Sequence, residues 1–173
     1  MKVHRIFVPT DYSQHSLWAL QWAVSLAWKY AAQLLLLHVV PQGSERGAMD
    51  GCEWIGIPYS RDAEASLHRL PFHSKATIHL YQYADSRLPR DVSAKMKVAM
   101  GNPAMEILKA AHDQAADLIV MGTHGRTGLR YLLLGSTAET VVRNAPCPVF
   151  LVPDTTTVST KLPEGIGTPW GCS

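Results

Sequence analysis

Eight residues, Met121 to Gly128, read MGTHGRTG and directly follow the apolar run DLIV. Their three glycines, at a spacing of three, place backbone freedom where a buried strand has just ended. Glycine reaches positive φ and lets a ligand approach without a Cβ in the way. The stretch is therefore either a tight turn out of a sheet or a backbone cradle for an anionic ligand. Ten residues after Gly125, Gly135-Ser136 opens a helical pattern. The free N–H groups at such a start carry partial positive charge and suit phosphate. Packing offers its own account of that segment, with Ser136 as N-cap and Glu139 completing a capping box. Arg126 and Arg130 add cations nearby. One anion site accounts for the glycines, the helix start and the arginines together, whereas turns account for them one at a time.

Other standard chemistries are absent from the letters. GxxxxGK[ST] does not occur. The first strand end reads PTDYSQ, without the glycines of a dinucleotide fingerprint. GxSxG is missing too. Cys52, Cys147 and Cys172 are odd in number and widely separated, which indicates neither a disulfide framework nor a zinc site and fits a reducing compartment. His68, His73 and His79 lie five and six apart, a spacing that does not share a helical face, and read as surface residues.

The 173 residues suffice for one domain with a core, and 47% hydrophobic against 17% charged residues is a globular composition. A formal charge of +2 announces no nucleic-acid partner. No apolar run approaches the roughly 20 residues of a membrane helix. The amino end lacks a signal-peptide core, so a cytoplasmic protein is expected.

Elements that would position the glycines follow from periodicity. Residues 3–9 read as a strand closed by Pro9. From Ser13 or Gln14 to about Tyr30, Leu17, Leu20, Val24 and Ala27 repeat at helical spacing. Trp18 and Trp22 form a second stripe, expected to fill core. Residues 34–40, LLLLHVV, have the pattern of a strand buried on both faces. Strand, helix, strand argues for a βαβ unit and a parallel sheet. Residues 43–87 form an excursion of low periodicity, in which a segment between Ser74 and Arg87 fits a helix, although IHLYQY also alternates like a strand. Ala94 to Met100 is a third strand, Gly101-Asn102 its turn, and Pro103 opens a helix with Ile107, Leu108 and Ala111 on one face. ADLIVMG and VFLVP are the fourth and fifth strands, separated by the helix ending at Asn144. Residues 154–173 read as a mobile tail after a domain at 1–153. In such a sheet, ligands bind at the strands' carboxyl edge. Pro9-Thr10-Asp11, His38-Val39-Val40 and Gly122 to Gly125 all end there.

The spacing Gly122, Gly125, Gly135, Ser136 is similar to the G-x2-G-x9-G-[ST] motif of the universal stress protein family. VPTDYS, MGNPAMEIL, ADLIVMGTHGRTG and LLGSTAETVVRNAPCPVFLVP resemble the same family. That resemblance implies an α/β fold, an open five-stranded parallel sheet flanked by helices, Rossmann-like or flavodoxin-like. It implies an adenine nucleotide, ATP or AMP, with Mg2+ as an accompanying ion. By position, Asp11, with Pro9 and Thr10 before it, would hold the ribose and Val39 backbone the adenine. Met121 and Gly122 would lie along ribose and α-phosphate. The turn through Thr123, His124, Gly125 and Arg126 would wrap the phosphates, and Gly135, Ser136 and Thr137 would donate to them. A homodimer through residues 148–152 is also implied. The reading is of a nucleotide-binding regulatory module. A slow ATPase or self-phosphorylating enzyme, and a nucleotide-free interaction protein, are the alternatives.

Overall fold

The computed structural model describes residues 2–41, 54–56, 75–124 and 134–153. The strands are β1 (Arg5–Thr10), β2 (Gln33–Val40), β3 (Ile55–Gly56), β4 (Ala94–Met100), β5 (Leu118–Gly122) and β6 (Val149–Val152). The helices are α1 (Gln14–Tyr30), α2 (Lys75–Asp85), α3 (Pro103–Asp113) and α4 (Ser136–Asn144). The strands form one sheet in the order β3-β4-β2-β1-β5-β6. Five of them are parallel, as the alternation of strands and helices requires. The two-residue β3 adds an antiparallel edge beside β4, inside the excursion where periodicity gave no strand.

Pleating sends alternate residues to two separate cores. Ile6, Val8, Leu34 and Leu36 meet α1 and α2 on one face, while Phe7, Leu35 and Leu37 meet α3 and α4 on the other. The four leucines of β2 are at most 1% exposed, which explains their uninterrupted run. Each such side chain stabilises the fold by about 1.5–3 kcal/mol.

Helix α2 settles the ambiguity of IHLYQY. Leu80, Tyr81, Tyr83 and Ala84 are buried at helical spacing, so packing decides over the strand-like alternation. The tryptophan stripe of α1 divides. Trp18 packs against the core, whereas Trp22 is 50% exposed and meets Phe150 of the edge strand β6 at 5.7 Å between rings. Core filling therefore does not describe Trp22.

At the amino edge, Asp117 ties β1 to β5 by accepting from the N–H groups of His4 and Arg5 at 2.8 and 2.9 Å. Cys147 is a free, half-buried thiol whose pKa is pushed up by burial and further by the Asp117 carboxylate. Cys52, Cys172, His68, His73 and residues 154–173 lie outside the described residues. Among the described residues no helix is long and apolar enough to cross a membrane.

Candidate functional site

The chain runs from β1 through β2 to β4 on one side, then returns so that β5 and β6 extend the sheet on the other side of β1. β1 and β5 therefore flank the point where strand order reverses, and their connections diverge at the carboxyl edge. A cavity of about 320 Å3 opens there. Pro9, Thr10 and Asp11 enter it from β1, Val39 from β2, and Met121, Gly122, Thr123 and His124 from β5. Gly135, Ser136 and Thr137 close it from the start of α4. Gly125 and Arg126, like Arg130, lie outside the described residues.

The β1 end is held by a chain of hydroxyls. Ser16 Oγ donates to the Ser13 carbonyl at 2.9 Å, so Thr10 Oγ1, 3.2 Å away, donates to Ser16 in turn. Thr10 Oγ1 also accepts the Tyr12 N–H at 3.1 Å, and Asp11 Oδ1 accepts the Ser13 N–H at 3.0 Å. These bonds fix the Asp11 carboxyl at the cavity's edge and hold Tyr12 at φ 64, a left-handed conformation unusual for a bulky side chain. Backbone strain of this kind persists where the surroundings over-determine it. Here the Tyr12 ring lies 4.3 Å from both His38 and His79 and 5.1 Å from Tyr83. His38 Nδ1 is 2.8 Å from the Thr10 carbonyl. A carbonyl only accepts, so Nδ1 carries the proton and ties the ends of β1 and β2. Burial pushes the Tyr83 phenol above its usual 10.0, against the opposing pull of Thr10, Arg87 and Ser16.

Gly122 is explained first by packing. A Cβ there would stand 2.9 Å from His15 Cβ and 3.0 Å from the His15 backbone. Glycine at this position lets α1 lie directly against β5. The next residues then run toward β6 and α4: Thr123 N–H donates to the Val152 carbonyl at 3.2 Å, and Gly135 N–H to the Thr123 carbonyl at 2.8 Å. This last bond docks the start of α4 over the β5 end.

The N-terminus of α4 departs from the capping box that S-x-x-E suggests. Gly135, not Ser136, is the N-cap, and no side chain caps the helix. Glu139 instead pairs with Arg143 at 2.9 Å. Helices α1 and α3 are capped by Ser13 and Asn102. The cavity thus combines a helix N-terminus open to a ligand, a carboxylate on the opposite lip and an apolar floor from Leu37 and Ile107. An anion at the helix end and a polar or hydroxylated group at Asp11 are what this arrangement can hold.

Sequence reasoning missed Ser16, Leu37, Pro103, Ile107 and Ala138, which also line the cavity. Ser16 had a signal: it shares the buried face of α1 with Leu20, Ala23 and Ala27, a polar residue in an apolar stripe. Leu37, Ile107 and Ala138 are core residues of β2, α3 and α4, and Pro103 is the half-buried first residue of α3, so nothing local marks any of them as wall residues.

Comparison with known proteins agrees with this fold. The model of the universal stress protein family matches residues 2–153. A universal stress protein of Methanocaldococcus jannaschii is 34% identical over 150 residues, covering 86% of this chain and 81% of that protein. The universal stress protein YxiE of Bacillus subtilis is 30% identical over 149 residues, covering 86% and 98% respectively. Among solved structures, UspA from Lactobacillus plantarum superposes with a TM-score of 0.61 at 25% identity, covering 88% of this chain and 99% of its own. A universal stress protein in complex with cAMP shares the fold with a TM-score of 0.60 at 21% identity, covering 88% of this chain and 98% of its own. The chain belongs to the universal stress protein family.

Proposed function

We propose that this universal stress protein binds an adenine nucleotide, ATP or AMP, in the cavity between β1 and β5, and acts as a regulatory binding module. One observation carries the reading: the start of α4, uncapped by any side chain, is docked over the end of β5 by the Gly135–Thr123 bond inside a cavity. The phosphates would accept from the N–H groups of Ser136, Thr137 and Ala138, with the Ser136 and Thr137 hydroxyls beside them. Met121, Gly122, Thr123 and His124 would run along ribose and phosphate. Asp11 would accept from the ribose hydroxyls, and Val39 backbone would meet the adenine over Leu37. Gly125 and Arg126 continue the same turn in sequence and are proposed to complete the phosphate contacts, with Mg2+ accompanying a triphosphate. The likeness to the cAMP complex is one of fold, so the ligand is argued from these residues.

A volume of about 320 Å3 lies at the lower end of small-molecule sites of about 300–1,000 Å3, which suits one nucleotide. We further propose a homodimer through residues 148–152. β6 ends the sheet, and its own Phe150 remains 39% exposed against Trp22. An apolar edge strand of this kind is normally covered.

Calorimetric titration with ATP and with AMP tests the binding reading, alongside mass spectrometry of any small molecule that copurifies. Micromolar affinity for either nucleotide is expected. A folded protein, verified by circular dichroism, that binds neither below millimolar concentration would sink the proposal. Sedimentation analysis of the wild type and Phe150→Lys tests the dimer: the variant should shift toward monomer, and an unchanged sedimentation coefficient would remove β6 from the contact.

A further inference from the structure

The turn from β1 into α1 carries a residue that a turn alone does not need. Tyr12 stands at φ 64, a left-handed conformation that glycine enters freely and a bulky side chain rarely adopts. Two short-range bonds close around it. Thr10 Oγ1 accepts the Tyr12 N–H at 3.1 Å, and Asp11 Oδ1 accepts the Ser13 N–H at 3.0 Å. The second bond spans Tyr12, so the backbone of Tyr12 sets where the Asp11 carboxylate points. The ring holds that backbone. It lies 4.3 Å from His38 of β2, 4.3 Å from His79 of α2 and 5.1 Å from Tyr83 of α2, and it packs against the core beneath α1 and α2. His79 and Tyr83 are four residues apart and so share one face of their helix. Among the described residues, Asp11 lines the cavity, whereas Tyr12 and all of α2 stand behind it.

We propose that Tyr12 is a positioning residue for the sugar of the bound nucleotide. α2 grips its ring, the grip fixes the Asp11 carboxylate, and the carboxylate selects a ribose over a sugar without hydroxyls. The inference rests on the nucleotide reading and deepens it, because it names what sets selectivity at the ribose end. A carboxylate discriminates between sugars best when it is already held where the hydroxyls arrive, since ordering it on binding weakens the contact. Glycine would turn this corner without steric penalty, so the tyrosine answers to its ring contacts rather than to the turn. Backbone strain of this kind persists where contacts from several segments over-determine it, and it collects at ligand sites. Here the contacts come from β2 and α2, and the residue they fix is the neighbour of Asp11. α2 thereby acts on the ligand through Tyr12 and Asp11 without touching it.

Calorimetry with ATP and with 2′,3′-dideoxy-ATP, which lacks both ribose hydroxyls, reads this selectivity as a ratio of affinities. Wild type should prefer ATP about 10- to 100-fold, the range of a hydrogen bond to a charged group. Asp11→Ala should abolish the preference. Tyr12→Gly leaves φ 64 accessible and removes only the ring, and its ratio should fall close to that of Asp11→Ala. His79→Ala changes an exposed residue outside the cavity. It should lower the ratio several-fold with dideoxy-ATP affinity unchanged, which verifies that the fold and the phosphate contacts are intact. Tyr12→Phe, which keeps the ring, should restore the wild-type ratio. A wild-type ratio in Tyr12→Gly or His79→Ala would overturn the inference, as would Tyr12→Gly weakening both nucleotides equally. Wild type binding both nucleotides equally would overturn it too. Wild type binding neither would instead overturn the nucleotide reading on which it rests.

Discussion

Helices α3 and α4 both begin at the carboxyl edge and both contribute to the cavity wall, yet they finish their N-termini differently. α3 closes its own: Asn102 Oδ1 accepts from Met105 N–H at 3.2 Å, and Pro103 removes a donor that would need a partner. Gly101, at φ 148, makes the sharp approach that Asn102 needs. α4 begins at Gly135, which has no side chain to offer. Each terminus carries about half a positive charge, so the difference lies in what is left to answer it. A capped end is a wall, and an uncapped end inside a cavity is a place for an anion.

The comparison can be broken by giving α4 the cap it lacks. At φ −68 and ψ 152, Gly135 is in a conformation open to any residue, and an added Cβ would meet the Thr123 carbonyl at an ordinary 3.4 Å. Gly135→Asp should cap the helix, occupy its donors and repel phosphate. Calorimetry should show nucleotide affinity falling about 100-fold, consistent with about 1.5–3 kcal/mol for a hydrogen bond to a charged group. Urea unfolding should show stability unchanged or raised by a few tenths of a kcal/mol. Gly122→Val acts differently, by forcing α1 off β5. It should lower stability by about 1–3 kcal/mol in urea unfolding, with affinity lost as a consequence of displacement. Asn102→Ala is the reciprocal of the Gly135 change. It should lower stability by about 1 kcal/mol and leave nucleotide affinity unaltered; a change in affinity would mean that the α3 end takes part.

The smallest effect belongs to the opposite edge of the sheet. Burial works against the charge of Asp117, but the N–H groups of His4 and Arg5 outweigh it and hold its pKa below the usual 3.8. A depressed folded pKa contributes stability that is complete above the unfolded value and is lost as pH falls through the folded one. The stability difference between wild type and Asp117→Asn should therefore be constant above about pH 4 and shrink below it. Nucleotide affinity should not follow that change.

Much of the frame was legible in the letters because its signals are local. LLLLHVV reads as doubly buried, and Ala94–Met100 and Gln14–Tyr30 fall where alternation, caps and periodicity place them. The glycine spacing also brought Gly122 and Gly135 together before any geometry was known. What escaped depends on contacts between distant segments. Nothing near His15 in the chain announces His124, and nothing near Tyr12 announces the stack of His38, His79 and Tyr83 that holds it at positive φ. IHLYQY carries the residue types of a strand and is a helix because its period-four face has a sheet to cover. Ser136 looked like a cap because S-x-x-E is a local pattern, whereas the Gly135–Thr123 bond that sets the helix start spans the turn.

The backbone amides at the two helix starts carry the difference between a capped and an open terminus. Amide chemical shifts, followed by two-dimensional NMR during titration with ATP, read them separately. The uncapped end predicts that Ser136, Thr137 and Ala138 move together and saturate, while Met105, already bonded to Asn102, stays in place. Saturating binding that leaves those three amides unmoved would contradict it.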